Sequence, residues 1–547
     1  MINQEAGFLT GEDGTTIFAS VSIPAIPWRT GVVIVPSFGY EHTCAYESLR
    51  TLGARLVGAG CAVVRFDPAG RRTSPPRARS GLSEWVASAG LAAAHLRAQG
   101  AAQIVVVGHR FGTLAAAGPI EPPPDAVVAL DPVVSGRRFL RELQVLQFMG
   151  VGTETRDDGG IVVLGEHLTG EDRAAIAACD LTRTVAPRCG LVVHRPGHEA
   201  ATRLVDHWQA EAVESDELGD MIERGAENAR CPASAIERIV EWVVALGTGR
   251  RAARAEHAAG LTPPAWHRTS ESIWATDDGP GSLLADPASD ATRPPERIER
   301  IGSPRLHAVS ILPSETRPGP AVLFVGNGGQ QDHGPAGSWT RWSRLLAASG
   351  TPAMRMCVRG RGESEDVAEP PCDHPDDRFY RWEHVGDVIR GAAHLRTLTG
   401  TVDGVACVGL CSSAFLALDA ARLDSGIRRV VAISPQLDFL PAGTRPVRRR
   451  RAGRPGSLRV TRWLRSDDGL GEKFGRRLPA GARGLSRAAG ATGAPSPRSR
   501  PFSPAGAALS PPPTTTCGSP ECCWRTGRST VSGCCRPNRS GRCAPTG

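Results

Sequence analysis

One local pattern occurs twice in this chain and restricts its fold more than any bulk property. VVVGHRFGTLAAAG, residues 105–118, reads as a buried strand, a sharp turn between two glycines and a small-residue helix. GVACVGLCSSAFLALDAA, residues 404–421, reads the same way. The two turn centres, Arg110 and Cys411, stand 301 positions apart. The preceding segments match as well. GVVIVPSFG (31–39) matches AVLFVGNGG (321–329), and CAVVRFDPAG matches TPAMRMCVRGRGES. Each pair of strands is separated by a helix-like segment, CAYESLRTLGARLVGAG in one case and SWTRWSRLLAASG in the other. Strand-length apolar runs alternating with helical segments imply a mainly parallel sheet covered on both faces. A repeat this long is a duplicated domain, not a solenoid.

At 547 residues the chain is too long for one ordinary domain. Residues 1–248 supply a full set of alternating elements, with the strands AQIVVVG, DAVVALDPVVSG and CGLVVHRPG and the closing helix PASAIERIVEWV. A small cap is expected at GGIVVLGEHLTGEDRAAIAACDL. Residues 249–302 are polar, proline-rich and aperiodic, the composition of a linker. Residues 303–440 restart the pattern but break off where a helix and two more strands are due, so the second sheet is expected to be incomplete. Residues 441–547 contain no Ile, Met, Tyr, His or Gln, and carry 21 basic and 4 acidic residues, a balance of +17. The remaining 43 basic and 52 acidic residues leave the body at −9. Such a tail cannot supply a core and is expected to be disordered. Its bias is also that of a GC-rich gene read out of frame. The opening MINQEAGFLTGEDG has no basic or apolar leader segment, and runs such as CAVVRF fall far short of a membrane span. The expectation is a soluble cytoplasmic protein without a membrane span. Its nine scattered cysteines would then be buried small hydrophobes or a single reactive thiol.

The strand–Gly-x-x-x-Gly–helix unit resembles the nucleophile elbow of α/β-hydrolases, and the resemblance covers nearly all of residues 1–440. It implies two α/β-hydrolase-type sheets in tandem. In such an elbow the central side chain projects above the sheet, and the next N–H points at the developing oxyanion. The triad acid and His then follow in chain order. In the first copy, Gly108-His109-Arg110-Phe111-Gly112 keeps the glycines and replaces the nucleophile with arginine. The His is due near Asn228 or Ala229, yet none occurs from residue 208 to 256. Two readings of Arg110 stay open: an ion pair with Asp131 at the end of the next strand, or bidentate binding of a ligand carboxylate or phosphate. His109, His194 and His198 read as solvated loop or strand-end residues. In the second copy Cys411 occupies the nucleophile position, where a thiolate is competent; the alternative is an inert buried cysteine. Ser412 and the Gly326-Asn327-Gly328-Gly329 loop, chiefly Asn327 and Gly328, would supply oxyanion donors. Ser413 departs from the elbow's second glycine. No His follows His394, so the triad cannot be completed in the usual order. His333 reads as a loop residue that orients substrate, and Asp438 as a possible acid.

A narrower likeness rests on GHRFGTLAA and ALDPVVSGRRFLREL in the first copy, and on FVGNGGQQDHGP, VRGRGES and VGLCSSA in the second. These segments resemble the two exosortase A system-associated hydrolase subfamilies, one tending to an arginine elbow and the other to a cysteine elbow. The likeness implies paired hydrolase domains in which Arg110 is a subfamily trait. Arg71-Arg72-Thr73 departs from the usual Gly-Asp-Ser, which puts the turn after the second strand of the first copy in doubt. The functional expectation is an acyl ester or thioester hydrolase, or an acyltransferase, working through Cys411 and impaired for want of a His. The alternative is a non-catalytic accessory protein binding an acyl or anionic ligand. A third reading is association with nucleic acid through the tail. No metal or cofactor is expected: the tail cysteines lack paired Cys-x-x-Cys spacing, and no phosphate-binding glycine loop is present. RPVRRRRAGR lacks interleaved aromatics, so a small-molecule acyl partner is expected and no specific nucleic acid. No feature specifies an oligomeric state.

Overall fold

The structure, a computed structural model, describes residues 3–77, 81–148, 159–163, 166–249, 263–267, 294–326, 328–366 and 378–435. The described residues form one compact unit. Its first half opens with two antiparallel strands, β1 (Asn3–Thr10) and β2 (Thr16–Ile23). Then come β3 (Thr30–Val35), β4 (Ala62–Phe66), β5 (Gln103–His109) and β6 (Ala126–Leu130). A separate hairpin, β7 (Ile161–Val163) and β8 (Glu166–Leu168), precedes β9 (Gly190–His194) and β10 (Glu211–Glu214). With β11 (Ala265–His267) at the far edge, the sheet order is β10-β9-β6-β5-β3-β4-β2-β1-β11. From β4 through β10 neighbouring strands are parallel. The Val32–Val35 run of β3 is buried throughout because helices cover both faces.

Those helices are α1 (Tyr40–Gly58), α2 (Leu82–Ala98), α3 (Gly112–Ala116), α4 (Gly136–Phe148), α5 (Gly170–Ala178), α6 (Glu199–Trp208) and α7 (Ala233–Gly249). On one face α1 and α7 pack Leu49, Leu52, Leu56, Ile236 and Ile239 against the sheet. On the other, α2, α3, α4 and α6 bury Trp85, Leu96, Phe111, Phe139 and Trp208. The expected cap is the β7–β8 hairpin with α5, whose start is fixed by a capping box between Thr169 and Asp172.

The second half repeats the first six strands: β12 (Glu296–Ile301), β13 (Leu306–Ile311), β14 (Ala321–Gly326), β15 (Ala353–Cys357), β16 (Val405–Leu410) and β17 (Ile427–Ile433). Their order, β12-β13-β15-β14-β16-β17, copies β1-β2-β4-β3-β5-β6. Its helices are α8 (Ser338–Ala348), α9 (Trp382–Thr399) and α10 (Ser412–Leu423). The first sheet continues from β6 to β9 and β10, whereas among the described residues β17 is the edge. Val431 of β17 is accordingly 51% exposed, while its counterpart in β6, Val128, is fully buried. The two sheets meet through their antiparallel ends, where Phe8 and Phe18 pack with Ile298 and Val309.

Two expectations are corrected. Residues 249–302, read as linker, contain β11 and β12. ERIERI places an Ile only at every third position among charged residues, off the two-residue period of a strand, and it is pairing with β13 that makes it one. The turn after β4 keeps its geometry despite Arg71-Arg72-Thr73. In both halves a serine, Ser74 or Ser364, donates to the strand-end carbonyl of Asp67 or Cys357. The same hydroxyl accepts the N–H of Phe18 or His307. Arg72 takes the left-handed conformation (φ 49°) that Gly362 takes in the second half (φ 55°). The tail, residues 441–547, and Asp438 lie outside the described residues.

Candidate functional site

Both elbows have the same backbone. Arg110 (φ 51°) and Cys411 (φ 56°) adopt the left-handed conformation that L-residues rarely take, and each donates its N–H to the end of the next strand. Arg110 reaches the Leu130 carbonyl at 3.0 Å, and Cys411 the Ile433 carbonyl at 2.9 Å. Close approach requires the first glycine. A Cβ on Gly108 would lie 2.6 Å from the Gly112 carbonyl oxygen, and one on Gly409 2.4 Å from that of Ser413. Ser413, in the place of the second glycine, folds its hydroxyl back onto the Leu410 carbonyl at 2.9 Å.

Arg110 does not pair with Asp131. Its guanidinium meets Glu41 of α1 at 2.9 Å and Glu142 of α4 at 3.4 Å. Burial opposes the charge, but Glu41 and Asp131 outweigh it and hold the guanidinium above its ordinary pKa. Asp131 instead accepts from Arg195 at 2.8 Å, and Arg195 also pairs with Glu223. The reason is strand adjacency. β6 and β9 are neighbours, so residues leaving their carboxyl ends stand side by side, whereas Arg110 leaves β5 toward α1 and α4. Asp131, Arg195 and Glu223 follow β6, β9 and β10 in chain order. Charge-compensated arginine–carboxylate pairs fill these places. Sequence reasoning missed Glu41, Glu142, Arg195 and Glu223. Arg195 could have been found, since it directly follows the strand GLVVH.

These groups line a cavity of about 580 Å³ whose apolar wall includes Phe38, Phe139, Leu143, Val163 and Ile222. Phe38 and Phe111 stand where oxyanion donors would, and their rings pack 5.5 Å apart within a cluster containing Trp85 and Phe139. His109 and His194, read as solvated, are buried because β5 and β9 are covered on both faces. Burial pushes His109 down to about 3, and neither of its ring nitrogens has a hydrogen-bond partner. His198 is half-buried and lines the cavity.

In the second half Cys411 caps α10, whose N-terminus attracts negative charge. Gly328 (φ 66°) lies against the residue after it: a Cβ at Gly328 would stand 3.3 Å from Ser412 Oγ. Cys411, Ser412 and Gly328 therefore share one place, while Asn327 lies outside the described residues. His333 is buried, and its ring accepts a hydrogen bond from Arg72 of the first half. It lines a cavity of about 200 Å³ with Tyr40, Arg72 and Gln330. His384, on α9, is buried too; burial and Arg361 push it down to about 4. Among the described residues no three His, Cys, Asp or Glu side chains gather to hold a metal ion, and no helix is long and apolar enough to cross a membrane.

No family model matches the chain, and no curated protein matches it. Solved structures align over just under half of it. Est1E from Butyrivibrio proteoclasticus, with ferulic acid bound, is 17% identical over 44% of this chain and 98% of its own, with a TM-score of 0.33. The esterase domain of a Rhodothermus marinus protein is 18% identical over 45% and 98%, with a TM-score of 0.32. A fungal esterase from Rhizomucor miehei is 18% identical over 44% and 82%, also at 0.32. Strand order, parallel core and two left-handed elbows make both sheets α/β-hydrolase-type, the second one with six strands among the described residues.

Proposed function

We propose that the chain is a tandem α/β-hydrolase-type protein whose second half performs acyl transfer on Cys411, and whose first half is a non-catalytic twin. The observation that carries this reading is the left-handed Cys411 at the start of α10, with Gly328 lying against Ser412. The Cys411 sulfur, as thiolate, attacks the carbonyl carbon of an ester or thioester. The Ser412 and Gly328 N–H groups receive the oxyanion. As the carbonyl re-forms, the C–O or C–S bond to the leaving group breaks, and the departing alkoxide or thiolate takes a proton from water. Water or an alcohol then releases the acyl group from sulfur. Without a His after residue 394, proton transfer has no triad base in the usual order, so slow turnover is expected. Hydrolysis of a p-nitrophenyl ester by wild type and Cys411→Ala tests the reading; equal rates in the two proteins would overturn it. The likeness of VGLCSSA and GHRFGTLAA to exosortase A system-associated hydrolases supports the same assignment of roles.

A second reading is favoured by the 580 Å³ cavity in the first half. There the chain binds a ligand without turning it over. The apolar wall suits an acyl chain. An anionic head group would have to compete with Glu41 and Glu142 for Arg110. Displacement of a fluorescent fatty-acyl probe, compared between wild type and Leu143→Trp, tests this reading; equal affinity in the two would count against it.

A further inference from the structure

The loop between β14 and α8 is gripped by the first half of the chain at two points. Near its start, a Cβ on Gly329 would come within 2.6 Å of the Ala226 carbonyl carbon and the Glu227 nitrogen. Residues 226 and 227 are themselves held. The Ala226 N–H donates to the Tyr40 hydroxyl at 3.1 Å, and the Arg378 guanidinium donates to the Glu227 carbonyl at 2.7 Å. Arg378 also lies over the Phe379 ring, which stands 3.8 Å from where a Gly328 Cβ would be. Further along the loop, the His333 ring accepts from Arg72, whose guanidinium is anchored on the Gly39 carbonyl and the Thr43 hydroxyl, both at 3.1 Å. Arg72 sits in a left-handed position that glycine would fill without strain. The arginine supplies a reach into the other half that glycine lacks.

This arrangement answers a physical need. A glycine-rich loop has little conformational preference of its own, yet an oxyanion donor works only when held within tenths of an ångström. The segment that grips Gly329 is also the one in which the first copy's triad His was due. We infer that the first half is the clamp that positions Gly328 against Ser412, making Tyr40 and Arg72 positioning residues for the chemistry at Cys411. The inference rests on the acyl-transfer reading for its consequence, but the clamp itself can be measured without it.

The test uses the full chain carrying Tyr40→Phe or Arg72→Ala, with amide hydrogen exchange followed along residues 328–334. Exchange there is expected to rise by about tenfold or more, while β14 and β5 stay protected. Turnover of p-nitrophenyl ester should show kcat falling about tenfold at constant KM, with iodoacetamide labelling of Cys411 unchanged. If Arg72→Ala loosens both sheets, Tyr40→Phe decides alone. Unchanged exchange would overturn the clamp whether or not the protein is active. Faster exchange with unchanged kcat would overturn the positioning role. If Cys411→Ala matches wild type in turnover, the acyl-transfer reading fails, and exchange alone decides the clamp.

Discussion

Glu363, in the turn after β15, places its carboxylate 2.7 Å from the guanidinium of Arg65 in β4, 298 residues away in the chain. Gln4 donates to the same carboxylate at 2.8 Å, and Tyr46 donates to its other oxygen. Burial works against this charge, but Arg65, Ser20, Tyr46 and Arg50 outweigh it and hold Glu363 down to about 2. The counterpart arginine of the second sheet, Arg355, is fully buried and finds its carboxylate within its own half, Glu296 at 2.5 Å. The join between the halves is therefore asymmetric, with one acid from the second half locked inside the first.

That lock has a pH signature. A carboxyl depressed on folding contributes stability that is complete above its ordinary value of 4.5 and is lost as pH falls through about 2. Stability to urea should therefore decline between about pH 4.5 and 2, and Glu363→Gln should flatten that decline. At pH 7 the variant leaves Arg65 without its counter-charge and should cost about 3–5 kcal/mol. Urea titrations at a series of pH values check both; an unaltered pH slope would contradict the assignment.

Arg110→Ala is expected to destabilise the first half by about 2–4 kcal/mol, because Glu41 and Glu142 would lose the cation between them. Arg110→Ser should be destabilised similarly and gain no esterase activity, since Asp131 faces Arg195 and no His occurs from residue 208 to 256, where the triad His is due. Thermal denaturation and an ester assay test the pair. Hydrolysis by Arg110→Ser alone would show that the twin retains a usable base.

Gly409→Ala should destabilise the second sheet by about 1–3 kcal/mol, because the new methyl meets the Ser413 carbonyl carbon and oxygen at 2.4–2.5 Å. Gly386→Ala, on an open face of α9 with nothing near the added methyl, should be neutral or slightly stabilising. Chemical denaturation of the two variants separates close packing from helix propensity.

Native iodoacetamide labelling should reach Cys231, which is exposed, and Cys411, which is half-buried, well before Cys357 and Cys407. Burial pushes the Cys407 thiol up to about 12 and that of Cys357 well above its ordinary value, leaving little thiolate on either. Peptide mapping of partially labelled protein gives the order. Early labelling of Cys407 would mean that β16 is not the buried strand described.

The amino-acid sequence by itself determined the elements and their repetition. Apolar runs of strand length, the glycines of GHRFG and the matching VGLC turn act on nearest neighbours, so their outcome is written locally; hence both elbows and the parallel sheets were legible. ERIERI was not, because four of its six residues are charged and its two Ile stand three apart, off the period of a strand; only pairing with β13 makes it one. Partner choice among charges was decided by the tertiary structure alone. Arg110 chose Glu41 and Glu142 over Asp131, and Asp131 chose Arg195, according to which strand ends and helices lie adjacent. The grip of Arg72 on His333 and of Arg65 on Glu363 joins residues more than 250 positions apart. An ion pair between distant segments has no periodicity and no preferred spacing in sequence; it forms between whichever groups packing brings together in a low-dielectric place.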